Sequence, residues 1–406
     1  MPDIKKLTGF SSTAIHSGSN TDPNQSHLIP IYASSTYVFD SAEQGMRRFN
    51  GDEKGYIYSR WGNPTITEVE ETISALESFE ILKNEEPLQL KTLLHASGMA
   101  ALTTLMLGNL KTGDKILSHF SLYGGTQELM EKVLPELGIE AIIVDLRDLN
   151  KAEVAIKNDS KIKMLYLETP ANPTIQCVDI DALAKLGKQH DLIVAVDNTF
   201  ATPYLQQPFK YDVDYVFHST TKFLNGHGTA IGGALTGKDI EHMEARMTKV
   251  HRLLGGNSNS FDAFLLSQGI KTLEVRMERH CENAVKVAKF LNEHNSVGKV
   301  NYLGLPSHPD YATSQKQMKH PGAMMSFDMK NGLQAGISFI NKLQMCVRAV
   351  SLGTCDTLLS HPASMTHYGV PKEKREKYGI TDGLIRMSVG IENVEDILSD
   401  LEQALS

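Results

Sequence analysis

Three apolar runs, each breaking abruptly into polar residues, constrain this chain more than anything else in it. Met164 to Leu167 leads into Glu168-Thr-Pro-Ala-Asn172, and Leu192 to Val196 leads into Asp197-Asn-Thr-Phe200. Val213 to Phe217 leads into His218-Ser-Thr-Thr-Lys222. Between the first two lies Asp179 to His190, whose apolar residues Ile180, Leu183, Ala184 and Leu186 have helical spacing behind an acidic cap. Strand, helix, strand at this spacing predicts parallel βαβ units. In open α/β sheets, ligands sit beyond the carboxyl ends of the strands. Glu168, Asn172, Asp197, Ser219 and Lys222 all fall at such ends. Polar residues scattered over a surface would not keep phase with three successive strands, so the spacing predicts a pocket.

Lys222 carries the most chemistry. Most lysines are solvated surface charges, but this one follows Ser219, Thr220 and Thr221 and precedes Phe223. At a strand end in a partly dry pocket, its amine can lose its proton and attack a carbonyl. A candidate anion cradle lies upstream, where His95-Ala-Ser97-Gly98-Met99 follows the apolar piece Thr92 to Leu94 and opens a helix running to about Leu107. Ser97 is a good cap, Gly98 lets the backbone approach a ligand, and the free amides and helix dipole favour a phosphate. Nucleotide signatures fail. Gly232 to Lys238 has the spacing of a P-loop, but Asp239 replaces the required hydroxyl residue, and no GxGxxG occurs there. A nicotinamide dehydrogenase therefore lacks its fingerprint. A carbonyl-bearing cofactor with a phosphate, met by a lysine and a carboxylate, describes pyridoxal 5'-phosphate. Lys222 would carry the Schiff base, and Asp197 would hold the pyridine nitrogen protonated. Tyr123, on the glycine-rich turn Ser121-Leu-Tyr-Gly-Gly-Thr126, is placed to stack on the ring.

With these residues in hand the chain resembles the Cys/Met-metabolism group of pyridoxal-phosphate enzymes, which includes the cystathionine synthases and lyases, methionine γ-lyase and O-acetylhomoserine sulfhydrylase. Tyr56-Ile-Tyr58-Ser-Arg60 with Asn63-Pro-Thr65 resembles the segment that reaches a neighbouring subunit's cofactor phosphate through its tyrosine and arginine. Ser97-Gly98-Met99 resembles the phosphate loop, and Tyr123 the stacking tyrosine. Asp197-Asn-Thr resembles the pyridine-binding carboxylate motif, and Ser219-Thr-Thr-Lys222 the lysine motif, whose Ser219 and Thr221 also bind phosphate. Ser351-Leu-Gly353 and Arg386-Met-Ser-Val-Gly390 resemble the site for the substrate carboxylate, with Asn172 a further substrate residue. The resemblance implies an α/β fold of the pyridoxal-phosphate transferase type I, like aspartate aminotransferase. That fold has a large domain with a mostly parallel sheet and a smaller C-terminal α/β domain. It also implies a homo-oligomer, a tetramer made as a dimer of dimers.

The features that separate members of the group point in more than one direction. His361-Pro-Ala-Ser-Met-Thr-His367 and Glu376 to Gly390 look like methionine γ-lyase. Gly125 stands where that enzyme has a cysteine, and Gly226 to Gly233 is closer to the sulfhydrylases. The cystathionine enzymes place a glutamate shortly after the Ser-Leu-Gly motif, where this chain has Asp356. The expectation is α,γ-elimination from a sulfur-containing L-amino acid, a carbon–sulfur lyase giving thiol, ammonia and 2-oxobutanoate. Lys222 and Tyr123 would do the proton transfers and Arg386 would clamp the α-carboxylate. The alternatives are γ-replacement on O-acetylhomoserine and the cystathionine γ-synthase or lyase reactions. An inactive oligomer that keeps the fold is a fourth, disfavoured by the presence of Lys222, Asp197, Tyr123 and Arg386.

Length and charge agree. A chain of 406 residues can bury a large core in two or more domains, and a net charge of −8 gives no basic excess for nucleic acid. Residues 1–10 lack an apolar signal core, and no apolar run approaches a membrane span. Cys177, Cys281, Cys346 and Cys355 form no CxxC pair, and the histidines lack metal-ligand spacing. A reduced, cytoplasmic protein without a metal site is expected. Three regions are expected: an arm at 1–65 with little helical periodicity that contacts a neighbouring subunit, a cofactor domain at 66–259, and a C-terminal domain at 260–406. In the last, Ala263 to Glu293 reads as helix broken near Gly269, Ala323 to Met329 as strand and Val394 to Leu405 as helix.

Overall fold

A computed structural model describes residues 7–19, 22–79, 81–83 and 86–406. The chain forms two compact units, one of residues up to 109 with 217–221 and 229–272, the other of residues 110–216, 222–228 and 273–406.

In the second unit four parallel strands neighbour one another in the order Ile193–Asp197, Ile162–Glu168, Lys115–His119, Glu140–Val144. Apart from Lys163, every residue of Ile162–Glu168 is buried, as expected of a strand covered on both faces. Helix Ile180–Gln189 makes the crossover between two of these strands, and the Asp179 carboxylate accepts the Ala182 amide at 3.1 Å as its cap. The register sets Glu168 directly beside Asp197 at the carboxyl ends of two adjacent strands. A second sheet, of five strands, has the order Val297–Asn301, Met324–Met329, Leu384–Ser388, Leu358–Ser360, Val347–Arg348. Helices Leu273–Glu293 and Val394–Leu405 contribute Val287, Leu291 and Leu401 to a core with Phe327, Phe339, Ile385 and Met387 of this sheet and its neighbouring helix.

The first unit is built around helix Pro64–Glu77, which buries Ile66, Val69, Ile73 and Leu76 and is capped by the Asn63 side chain at 3.0 Å from the Thr65 amide. Strands Lys91–His95 and Gly233–Gly237 pair antiparallel, and helix Gly98–Asn109 buries Leu102, Leu105 and Met106. The strand Tyr215–His218 ends on a histidine hydrogen-bonded to Glu77, both wholly buried, which fixes the start of the Ser219–Thr221 turn. The segment 1–65 holds more helix than its periodicity suggests, at Phe10–His16 and Ala42–Asn50. The second is set by its ends: Ser41 caps the Gln44 amide, and Arg47 and Arg48 near the C-terminus pair with Glu53. Its apolar residues Ala42, Met46 and Phe49 do share one face, but nine residues are too short a window for that period to stand out. Among the described residues no helix is long and apolar enough to cross a membrane.

Candidate active site

The first unit builds an anion cradle from backbone. Strand Lys91–His95 stops two residues short of Gly98, where a twelve-residue helix begins. Ser97 Oγ accepts the Ala100 amide at 3.1 Å, leaving the amides of Gly98 and Met99 as those a helix cannot pair with itself. A Cβ on Gly98 would stand 3.0 Å from Ser219 Cβ and 3.1 Å from its Oγ, so glycine lets this helix start approach the Ser219 turn without pushing that side chain aside. Thr221 Oγ1 donates to the Gly232 carbonyl at 3.2 Å and accepts the Gly232 amide at 3.0 Å, locking that turn from the other side. Amides at a helix N-terminus, with a serine hydroxyl beside them, suit a phosphate. Tyr58 and Arg60 are brought to each other, the guanidinium 5.6 Å from the ring centroid, and Arg60 also donates to the Arg252 carbonyl at 2.8 Å.

The second unit gathers long side chains. Lys222 Nζ donates to Ser351 Oγ at 3.2 Å. Arg386, in the strand Leu384–Ser388, donates through Nη2 to the carbonyls of Val350 and Ser351, each at 2.9 Å, and through Nη1 to Asn172 Oδ1 at 3.2 Å. Its Nε is buried and has no hydrogen-bond partner. Glu168, buried at its strand end, accepts the amides of Tyr123 at 2.8 Å and Asn172 at 3.0 Å. One carboxyl group thus sets the backbone of both the exposed tyrosine and the arginine's amide partner. Asp197 accepts the Thr199 amide at 3.0 Å and the Tyr166 hydroxyl at 3.4 Å.

Burial dominates the electrostatics. It lowers the Lys222 amine to about 8, assisted by the positive charge of Arg386. The Arg386 guanidinium is lowered to about 10 by its own burial, which still leaves it charged near neutrality. Burial, then the Asp197 charge, pushes the Glu168 carboxyl well above the carboxylate range. Sequence patterns missed two participants. Tyr166 was hidden inside an apolar run, and the carbonyls of Val350 and Ser351 that aim Arg386 have no side-chain signature.

The fit of pyridoxal phosphate can be judged from these groups. A desolvated amine near pH 8 is a nucleophile for an aldehyde, and the orphaned Arg386 Nε is a donor awaiting an anion. The Gly98 helix start presents unpaired amides beside the Ser219 hydroxyl, which a Cβ on Gly98 would crowd. The amine and guanidinium of the second unit fit the aldehyde of the cofactor and an amino acid, and the amides of the first unit, taken by themselves, fit a phosphate. They define a class: enzymes that use a lysine for carbonyl chemistry on amino-acid substrates.

The chain belongs to the Cys/Met metabolism PLP-dependent enzyme family, whose pattern matches residues 11–406. It is 46% identical over 401 residues to the L-methionine gamma-lyase of Fusobacterium nucleatum subsp. nucleatum, covering 98% of each chain. The crystal structure of metB from Corynebacterium glutamicum superposes with a TM-score of 0.90 at 38% identity over 99% of both chains. That of cystathionine gamma-lyase from Lactobacillus plantarum, complexed with L-serine, gives 0.88 at 37% identity over 98% of both. The fold is therefore that of the type I pyridoxal-phosphate enzymes, the cofactor is pyridoxal 5'-phosphate, and the substrate is an amino acid.

Proposed function

We propose that this chain catalyses α,γ-elimination from an L-amino acid with a sulfur substituent on Cγ, consuming one water and giving a thiol, ammonia and 2-oxobutanoate. Methionine is the first substrate to test. The observation that carries the reading is the buried cluster in which the Lys222 amine meets Ser351 while Arg386 holds the Ser351 carbonyl. The choice of reaction is supported by six relatives named L-methionine gamma-lyase, at 40–46% identity over 97% or more of each chain.

When bound, pyridoxal phosphate supplies an electron sink next to the substrate's Cα. Lys222, its covalent partner, takes the proton from Cα and moves protons between there and Cβ, work for which its lowered basicity suits it. Tyr123 delivers a proton to the departing sulfur. Arg386 Nε takes the α-carboxylate while Asn172 and the Val350 and Ser351 carbonyls keep the guanidinium aimed. Asp197 keeps the ring nitrogen protonated, and Ser97, Gly98, Met99, Ser219 and Thr221 hold the phosphate through amides and hydroxyls.

We place the protein in the cytoplasm, since its four cysteines are free thiols, as a reducing compartment would keep them. We also assign residues 1–65 as an arm that carries Tyr58 and Arg60 to a neighbouring subunit's phosphate in a tetramer. Apolar side chains left in water in the same unit support this: Val38 is 91% exposed, Leu253 73% and Met46 71%. A second reading, γ-replacement on O-acetylhomoserine, is favoured by Gly125 and the Gly226 to Gly233 stretch. One assay panel separates the two: methionine, cystathionine, homocysteine and O-acetylhomoserine, each with and without sulfide. The first reading predicts 2-oxobutanoate from a sulfur amino acid. Sulfide-dependent homocysteine from the ester, with no keto acid from any sulfur amino acid, would replace it with the second.

A further inference from the structure

Helix Leu273–Glu293 packs into the second unit with a face that is not wholly apolar. Arg276, His280 and Asn283 lie four and three residues apart, so they share that face, and all three are buried. Buried polar groups are costly unless they are hydrogen-bonded. Here each reaches backbone carbonyls of segments distant in sequence.

Arg276 reaches forward to the lysine turn. Its Nη1 donates to the Phe223 carbonyl at 2.8 Å and its Nη2 to the Leu224 carbonyl at 3.4 Å. The turn closes by the Gly226 amide donating to the Lys222 carbonyl at 2.8 Å. Gly226 has φ +70°, and a Cβ there would stand 2.0 Å from Arg276 Nη1. The turn is shaped around the guanidinium. His280 donates through Nδ1 to the Val389 carbonyl at 2.6 Å, and its ring meets Phe223 edge-on, at 5.3 Å and 87°. Burial, with the charge of Arg276, holds His280 to about 4, so it is a neutral donor at working pH. Asn283 donates to the carbonyls of Gly390 at 3.0 Å and Glu392 at 2.9 Å. Val389 and Gly390 directly follow the strand that holds Arg386.

We propose that Arg276 is a positioning residue for Lys222, and that the buried row Arg276–His280–Asn283 sets the spacing between the lysine turn and the Arg386 strand. The proposal rests on Lys222 being the cofactor lysine. Lys222 and Arg386 must serve two atoms of one bound amino acid, the reacting carbon and the carboxylate, so their separation is dictated by the substrate. A misplacement of about 1 Å can cost about 10²-fold in rate. A planar fork that grips two successive carbonyls sets such a spacing where an aliphatic side chain of equal volume would not.

The test compares the reconstituted holoenzyme with Arg276→Met, Arg276→Lys and Asn283→Ala. The visible cofactor band and its pH midpoint, kcat and KM separately, and Tm are read for each. Arg276→Met should shift the pH midpoint of the band and lower kcat about 10²-fold. Arg276→Lys, whose ammonium lacks the planar fork, should shift it in the same direction by less. It decides alone if the methionine variant does not fold. Asn283→Ala, which touches only the arginine side, should raise KM and leave the midpoint unmoved. Variants that lose Tm but keep the wild-type midpoint and kcat overturn the proposal, because a packing role alone would do that. A wild-type protein with no band that borohydride fixes at Lys222 refutes the cofactor assignment. A normal wild-type band that the Arg276 variants leave unmoved refutes only the role of Arg276.

Discussion

The cradle at Ser97–Met99 and the cluster at Lys222 each prepare a place for charge, with opposite materials. The cradle uses main-chain amides, a cap and a glycine, all within a few residues of sequence plus one neighbouring turn. The cluster uses the long side chains of residues 222 and 386 with polar groups of residues 172 and 351, and its charges are buried. Amides at a helix start have fixed dipoles and cannot change protonation. A desolvated amine and guanidinium can be tuned, and Lys222 at about 8 is the result. Binding that must only hold can be made from backbone, whereas chemistry that must move protons needs titratable side chains in a dry place.

That contrast can be broken at either end. If Lys222 is both the base and the covalent partner proposed for it, Lys222→Ala should lower turnover by at least about 10⁴-fold, the top of the range for a general acid–base group. The cradle should still retain pyridoxal phosphate in that variant, seen as free-aldehyde absorbance that survives dialysis. Loss of the cofactor altogether would mean that the amides do not hold it. Arg386→Met removes charge-assisted hydrogen bonds worth about 1.5–3 kcal/mol each, so the KM for the amino acid should rise about 10- to 10²-fold. An unchanged KM would remove Arg386 from the substrate site. Ser97→Ala should have the smallest effect. Losing a cap costs about 1 kcal/mol, read as slightly weaker cofactor binding and a lower Tm with kcat intact at saturating cofactor.

The same division explains what could be read from sequence. The three strands that end at Glu168, Asp197 and His218 were visible as apolar runs because strands buried on both faces are apolar on both faces. The Asp179 and Ser97 caps were visible because capping is local. Helix Ala42–Asn50 was not, because its apolar face is only Ala42, Met46 and Phe49 over nine residues, too short a run for periodicity to stand out. Spacing put Lys222 and Asp197 at strand ends, but only resemblance suggested that Ser351 and Arg386 belong near them. No local pattern reports a contact across 129 residues, the separation of Lys222 and Ser351. Arg276 escaped notice for a different reason. A buried arginine on a helix reads as one more surface charge until the carbonyls it grips are seen.

The most direct test of the account is to strip the protein of cofactor, add pyridoxal phosphate across a range of pH, reduce with borohydride and map the labelled peptide. The account predicts one labelled residue, Lys222, with incorporation rising through a midpoint near 8, as its buried amine requires. The ordinary lysine midpoint lies near 10.4. Label on any other lysine, or incorporation at Lys222 that waits for an ordinary lysine's pH, would contradict it.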